Sequence, residues 1–210
     1  MRANPKPKKP SAEKHHKKAT TVDRPLASWF PREDAGWLAW GKAAERAYEE
    51  YRIAEACSRS NSRDEKLRDA MIRAAEIRHY THDRSYPPGL DEGIANLHSG
   101  SSDDIERCIA YLEADLYVFG SGYIKSDIIK RLKKLDLKLE FRRRLQNVVI
   151  NVIKKGFRRE FKDYCRLARH VHSEGFLLEV EKFLKSNDPN LALRGKWVLD
   201  ACRQKTGTKG

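Results

Sequence analysis

Residues 139–171 read LEFRRRLQNVVINVIKKGFRREFKDYCRLARHV, and their spacing decides the fold. Phe141, Leu145, Val148, Val152 and Ile153 recur at helical steps until Gly156 interrupts them. Phe157, Phe161, Tyr164, Ala168 and Val171 then begin a second series with the same step. That period lays each set along one face of an α-helix. Two helices parted by a glycine form one unit, whose apolar stripes must be covered by neighbours.

Such neighbours exist on both sides. Toward the N-terminus, Ile105, Ile109, Leu112, Leu116 and Phe119 mark a helix that Gly120 and Gly122 end. Ile124, Ile128, Leu132 and Leu135 mark the next. Toward the C-terminus, Ser173 is placed to cap a helix running through Phe176, Val180, Phe183 and Leu184. Asp188-Pro189 then opens a last helix through Leu193, Trp197 and Ala201, with proline in the first turn where its missing N–H is harmless. Taken in pairs, the helices begin at intervals of about 35 residues, the signature of an α-solenoid.

One stretch also resembles a known repeat. From Leu184 to Ala201 an apolar residue leads through Asp188-Pro189 to Leu191, and a helix follows with Arg194 and Leu199. This resembles a HEAT-type repeat, and Leu97 to Ala114 echoes it in part through Arg107 and Leu112. Ala192 stands where the family usually has arginine beside its branched apolar residue. The resemblance implies a stacked-helix fold that binds through an extended surface. It implies no chemistry.

Ahead of the repeat region, Trp37, Trp40, Ala44, Ala47, Tyr51 and Ala54 form one helical stripe, and Leu67, Met71, Ala74 and Ile77 form another. Ser62 with Glu65 has the form of a capping box for the second helix. The alanines permit close approach, so residues 34–80 read as an αα-hairpin, led in by Trp29, Phe30 and Pro31. The prolines of Tyr86-Pro87-Pro88-Gly89 interrupt helix and mark a boundary. Residues 1–24 are Lys-rich and nearly free of large apolar side chains, so they are expected to be a disordered basic tail. The expectation is an all-α protein: a basic tail over 1–24, a hairpin and linker over 25–90, a solenoid-like stack of about three helix pairs over 91–204 and a flexible end over 205–210.

Charge is the strongest functional clue. The net charge of +13 is uneven: residues 1–24 carry 8 basic and 2 acidic side chains, and residues 125–169 carry 16 and 5. Such concentration asks for an anionic partner. On a helical wheel Arg158, Arg159, Lys162, Arg166 and Arg169 fall within about 100° of arc, clear of the apolar stripe. Arg142, Arg143 and Arg144 form a second cluster in the opening turns of the preceding helix. An exposed helix ordinarily mixes signs, because i,i+4 pairs stabilise it. The eight cations are therefore assigned to a phosphate-gripping strip, for which the planar guanidinium fork is well suited. No stacking platform interleaves with the stripe, so base-specific reading is not expected.

Catalytic patterns are absent. No nucleophile elbow, phosphate-cradling glycine loop or calcium loop occurs. The His79/His82 and His170/His172 pairs lack the accompanying ligands of a metal site. Cys57, Cys108, Cys165 and Cys202 lie far apart and read as reduced, buried thiols. Neither a cofactor nor a metal is expected. No apolar run is long enough to span a bilayer, and no secretion signal opens the chain, so an intracellular and most simply cytoplasmic protein is expected. The reading that leads is a non-enzymatic helical-repeat protein on the nucleic-acid phosphate backbone. The alternative is an adaptor for an acidic or amphipathic protein.

Overall fold

The computed structural model describes residues 30–203. The tail over 1–24, Trp29 and the end over 205–210 lie outside the described residues. Nine α-helices and no strand occur among the described residues, and the fold is all-α. The chain divides into two compact units on either side of the Ser85–Tyr86 bond.

The first unit is a hairpin of α1 (Trp37–Ser60) and α2 (Glu65–His82). Ala43, Ala44, Ala47 and Ala54 of α1 and Ala74 of α2 are buried, and side chains this small let two helices lie close together. Trp40 is buried beside Phe30 and Tyr80, with ring centroids 6.2 and 5.9 Å away. The α2 cap is Asp64, not Ser62: the Asp64 carboxylate accepts from the Lys66 and Leu67 amides at 3.0 and 3.3 Å. Asp64 directly precedes the first helical residue, within reach of the free N–H groups. Ser62 is two residues too early, in the turn.

The second unit contains α3 (Leu90–Asn96), α4 (Ser102–Ala114), α5 (Ser121–Leu132), α6 (Leu139–Lys155), α7 (Phe161–Val171), α8 (Glu174–Lys182) and α9 (Pro189–Arg203). Short 3₁₀ turns follow α3 and α8. The seven-residue α3 is too short to leave a readable stripe. Ser173 and Asp188 cap as their types predict, accepting from the Phe176 amide at 3.3 Å and the Asn190 amide at 2.9 Å.

Two helix ends differ from the periodicity, and both shape the site. The α4 helix stops at Ala114, because Asp115 takes a left-handed backbone conformation with φ 47°. Leu116 and Phe119 thus belong to a loop; Leu116 is buried there and Phe119 exposed. The α7 helix begins at Phe161, not Phe157. Gly156 has φ 129°, a value that side chains disfavour, and the chain spends a further turn before re-entering a helix. Arg158 and Arg159 are consequently turn residues, so a helical wheel does not describe their directions.

Successive pairs stack. The α4 helix packs on α6, α5 on α7, and α7 on both α6 and α9, while α8 packs on α9. Ile109 and Leu112 of α4, Ile128 and Leu132 of α5, Leu145 and Ile153 of α6, and Val198 and Leu199 of α9 are all buried. Each contributes on the order of 1.5–3 kcal/mol through removal of its side chain from water. Arg194, conspicuous in the repeat resemblance, is buried, and its Nε donates to the Ile153 carbonyl at 2.6 Å. It satisfies one of the carbonyls left free at the end of α6 and ties α9 to that end.

Candidate nucleic-acid interface

Helices α5 and α7 run side by side in the same direction, as their cross-contacts show. Arg159, just before α7, lies 3.5 Å over the Tyr123 ring near the start of α5. Further along, Ser126 donates to the Asp163 carboxylate at 2.8 Å. Past the far end of α5, the Leu135 carbonyl accepts from His170 Nε2 at 3.2 Å. Tyr123, Ser126, Lys130 and Lys133 follow one another at helical steps of three and four, so they line one face of α5. Lys162, Arg166 and Arg169 do the same on α7.

The two rows put like charges together. Burial and then the neighbouring Arg166 guanidinium hold the Lys133 ammonium below the ordinary lysine range; Arg169 and Lys130 act in the same sense, and Asp163 opposes them. Asp163 also takes a 3.0 Å ion pair from Arg166, which remains largely exposed. Lys130 and Lys162 are exposed. From Tyr123 to Lys133 the face is about 15 Å long at the helical rise.

Beneath the aromatic end of this face lies a buried ion network. Asp115 accepts from Lys125 Nζ at 2.6 Å, Arg158 Nη1 at 2.6 Å and Lys155 Nζ at 3.0 Å. Lys125 is wholly buried, and a second buried carboxylate, Glu160, stands 4.0 Å away. Burial pushes the Lys125 ammonium down, against the opposing pull of Asp115. A Cβ on Gly122 would come within 2.9 Å of Glu160 Oε2, so the backbone of α5 closes directly over that carboxylate. The Tyr111 and Tyr164 hydroxyls are buried with no hydrogen-bond partner among the described residues. Burial raises the pKa of both, and Asp115 and Glu160 add to the effect. Of the three cations around Asp115, Lys125 is enclosed and Arg158 largely so, while Lys155 remains about half exposed.

Of the eight residues assigned to the strip from sequence, Lys162, Arg166 and Arg169 lie on one face of α7. Arg159 adjoins them through Tyr123. Arg158 turns inward to Asp115, with its guanidinium also 5.4 Å from the Tyr117 ring. The triplet at the start of α6 is dispersed. Arg142 donates to the Leu137 carbonyl at 2.9 Å and to Asp136 at 3.0 Å. Arg144 is clamped between Glu113 and Glu106 of α4, bonds that raise its pKa further. Arg143 is exposed and has no ion pair among the described residues. An arc of 100° per residue separates consecutive side chains, so three adjacent arginines on a helix cannot share a direction.

Sequence reading missed Lys130 and Lys133, which join the strip only because α5 lies against α7. It also missed the aromatic residues beside the strip. Tyr117, Phe119 and Tyr123 are 50%, 62% and 64% exposed, respectively, in and just after the loop that follows Asp115. Their distance along the chain from Arg158 and Arg159 concealed the association. The histidines do other work: His172 donates to the Arg169 carbonyl at 2.8 Å, and His82 pairs with Asp83 at 3.3 Å. No cluster of three or more metal-ligating side chains occurs among the described residues. No described helix is long and apolar enough to cross a membrane. Set against protein-family models, curated proteins and solved structures, the chain matches none.

Proposed function

We propose that this protein is a non-enzymatic, HEAT-like helical-repeat module that holds the phosphate backbone of a nucleic acid along the α5–α7 face. One observation carries the reading: α5 and α7 lie side by side in the same direction, so that Lys130 and Lys133 on one and Lys162, Arg166 and Arg169 on the other form a single cationic face. A polyanion laid along that face would meet cations from both helices at once. The proposed contacts are Lys130, Lys133, Arg159, Lys162, Arg166 and Arg169. Residues 1–24, with 8 basic side chains, add further sequence-independent attraction.

A salt titration of binding to mixed-sequence DNA and RNA tests this. The logarithm of affinity falls with the logarithm of salt, and each phosphate contact contributes roughly 0.7–0.9 to the slope. Changing Lys133, Lys162 and Arg166 together to glutamine is expected to lower the slope by about 2. Arg144→Gln, which faces α4, is the control and leaves the slope unaltered. A slope near zero for the full chain, or one indifferent to the triple change, removes the proposal. A co-purifying protein that survives nuclease treatment favours an acidic protein partner instead.

A further inference from the structure

We infer that the polyanion taken by this face is single-stranded, and that Tyr123, backed by Arg159, with Tyr117 beside Arg158, forms a platform on which its unpaired bases stack. The inference rests on the reading just given, and it names the kind of nucleic acid. Three features of this face point to it.

The first is the composition of the face from end to end. Lysines and arginines occupy the end at Lys133 and Arg169, and aromatic rings occupy the end at Tyr123. A duplex presents phosphates on its outside and keeps its bases stacked on one another, so it gives exposed rings nothing to stack with. A single strand presents both, and grooves that hold one combine a cationic track with aromatic platforms.

The second is the state of the rings. Tyr123 leaves 64% of its surface to water, a larger share than the exposed aromatic rings of Phe157 and Trp197 in the same unit. Tyr123 is nevertheless not loose. The Arg159 guanidinium lies 3.5 Å from its ring centroid, which favours this orientation of the ring and adds a cation to the platform. Arg158 does the same more distantly for Tyr117, at 5.4 Å, while Asp115 anchors the guanidinium from below. A ring held in place before binding loses little freedom when a base settles on it.

The third is the foundation. The loop that carries Tyr117 and Phe119 starts at Asp115, whose left-handed backbone and three ion pairs fix its direction. The turn that carries Arg158 and Arg159 is held by the same carboxylate. A buried network of this size fixes the two segments bearing the aromatic and cationic groups relative to each other.

The experiment compares three ligands of equal length at one salt concentration, each followed by fluorescence anisotropy with the full chain. They are a thymidine oligomer, an abasic oligomer with the same sugar-phosphate backbone, and a mixed-sequence duplex. The thymidine oligomer is expected to bind about fivefold or more tightly than the abasic one, the effect of stacking at least one base. Tyr123→Ala is expected to remove most of the difference between the thymidine and abasic oligomers, Tyr117 holding the remainder, and Tyr123→Trp to preserve or widen it; a difference unchanged in Tyr123→Ala overturns the inference. Equal affinity for thymidine and abasic oligomers, or tighter binding of the duplex than of either, overturns the inference and leaves the phosphate-binding reading intact. Failure of all three ligands to bind removes both. Because Tyr123 is exposed, unfolding of the Ala variant is not expected; an unchanged circular dichroism spectrum confirms this, and the Trp variant carries the test independently.

Discussion

Replacing Asp115 with asparagine is the sharpest probe of the second unit. Asparagine keeps the shape of the side chain and tolerates a φ of 47°, so the backbone is spared and only the charge is lost. Three cations then lose their shared partner. Lys155 is about half exposed and can turn to water, and Arg158 can do so in part. Lys125 cannot, because it is wholly buried and Glu160, at 4.0 Å, is its next carboxylate. Stranding a buried charge in this way costs about 3–5 kcal/mol. Against a domain stability of about 5–15 kcal/mol, that is roughly a fifth or more of the total, and the melting temperature should fall by roughly 10 °C. Urea denaturation followed by circular dichroism measures it. The double variant Asp115→Asn with Lys125→Met should recover part of the loss, since the stranded ammonium is gone.

The same variant has a signed pH dependence. Burial already holds Lys125 below its ordinary value, and Asp115 is the main influence in the opposite direction. Without the carboxylate the folded-state pKa falls further, while in the unfolded chain it stays near 10.4. Between those two values the unfolded chain binds the extra proton, so stability rises with pH through that window. The penalty of Asp115→Asn relative to the parent should therefore shrink from pH 7 toward pH 10. A penalty below about 1 kcal/mol at pH 7, or one that grows with alkalinity, would refute the claim that Asp115 neutralises a buried ammonium.

Two further outcomes are expected from packing and burial. Gly195→Ala in α9 places a Cβ 3.0 Å from the Phe183 Cβ, which has no freedom to swing aside, and 3.5 Å from the Val180 carbonyl. Overpacking of about 1–3 kcal/mol should exceed the gain of about 1 kcal/mol in helix propensity, lowering the denaturation midpoint. Gly175→Ala in α8 meets nothing within 4 Å, so there the gain should stand alone and the midpoint should rise. Burial pushes the Cys108 and Cys165 thiols up to about 12 and Cys202 up to about 11. These three should resist a thiol reagent at pH 8 in the native protein, where little thiolate exists, and all four cysteines should react in urea. Rapid native labelling of Cys165, read by peptide mapping, contradicts that account.

Much of the fold was readable because helices announce themselves through a local period. The stripes of α4 to α9 were all visible, as were the caps at Ser173 and Asp188, whose partners lie within three residues. What failed were helix ends set by backbone conformation. The apolar rhythm of α4 continues through Leu116 and Phe119, yet Asp115 turns the chain left-handed because its carboxylate is wanted by Lys125, Lys155 and Arg158 from ten to forty-three residues away. The rhythm of α7 likewise begins at Phe157, ahead of the actual helix. The site was less readable still. Lys162, Arg166 and Arg169 share a face because they belong to one helix. Lys130, Lys133 and Tyr123 meet them through the side-by-side packing of α5 and α7. Arg144 left the strip for Glu106 and Glu113, partners invisible to any local window.

The ions around Asp115 also constrain how this part of the chain can come apart. They join the loop after α4, the start of α5, the end of α6 and the turn before α7. The end of α6 can release the half-exposed Lys155 to water, but fraying the loop after α4, the start of α5 or the turn before α7 would uncover a charge whose counterpart stays enclosed. Those three segments should then open together or stay shut, behaving as a single cooperative block despite their separation along the polypeptide.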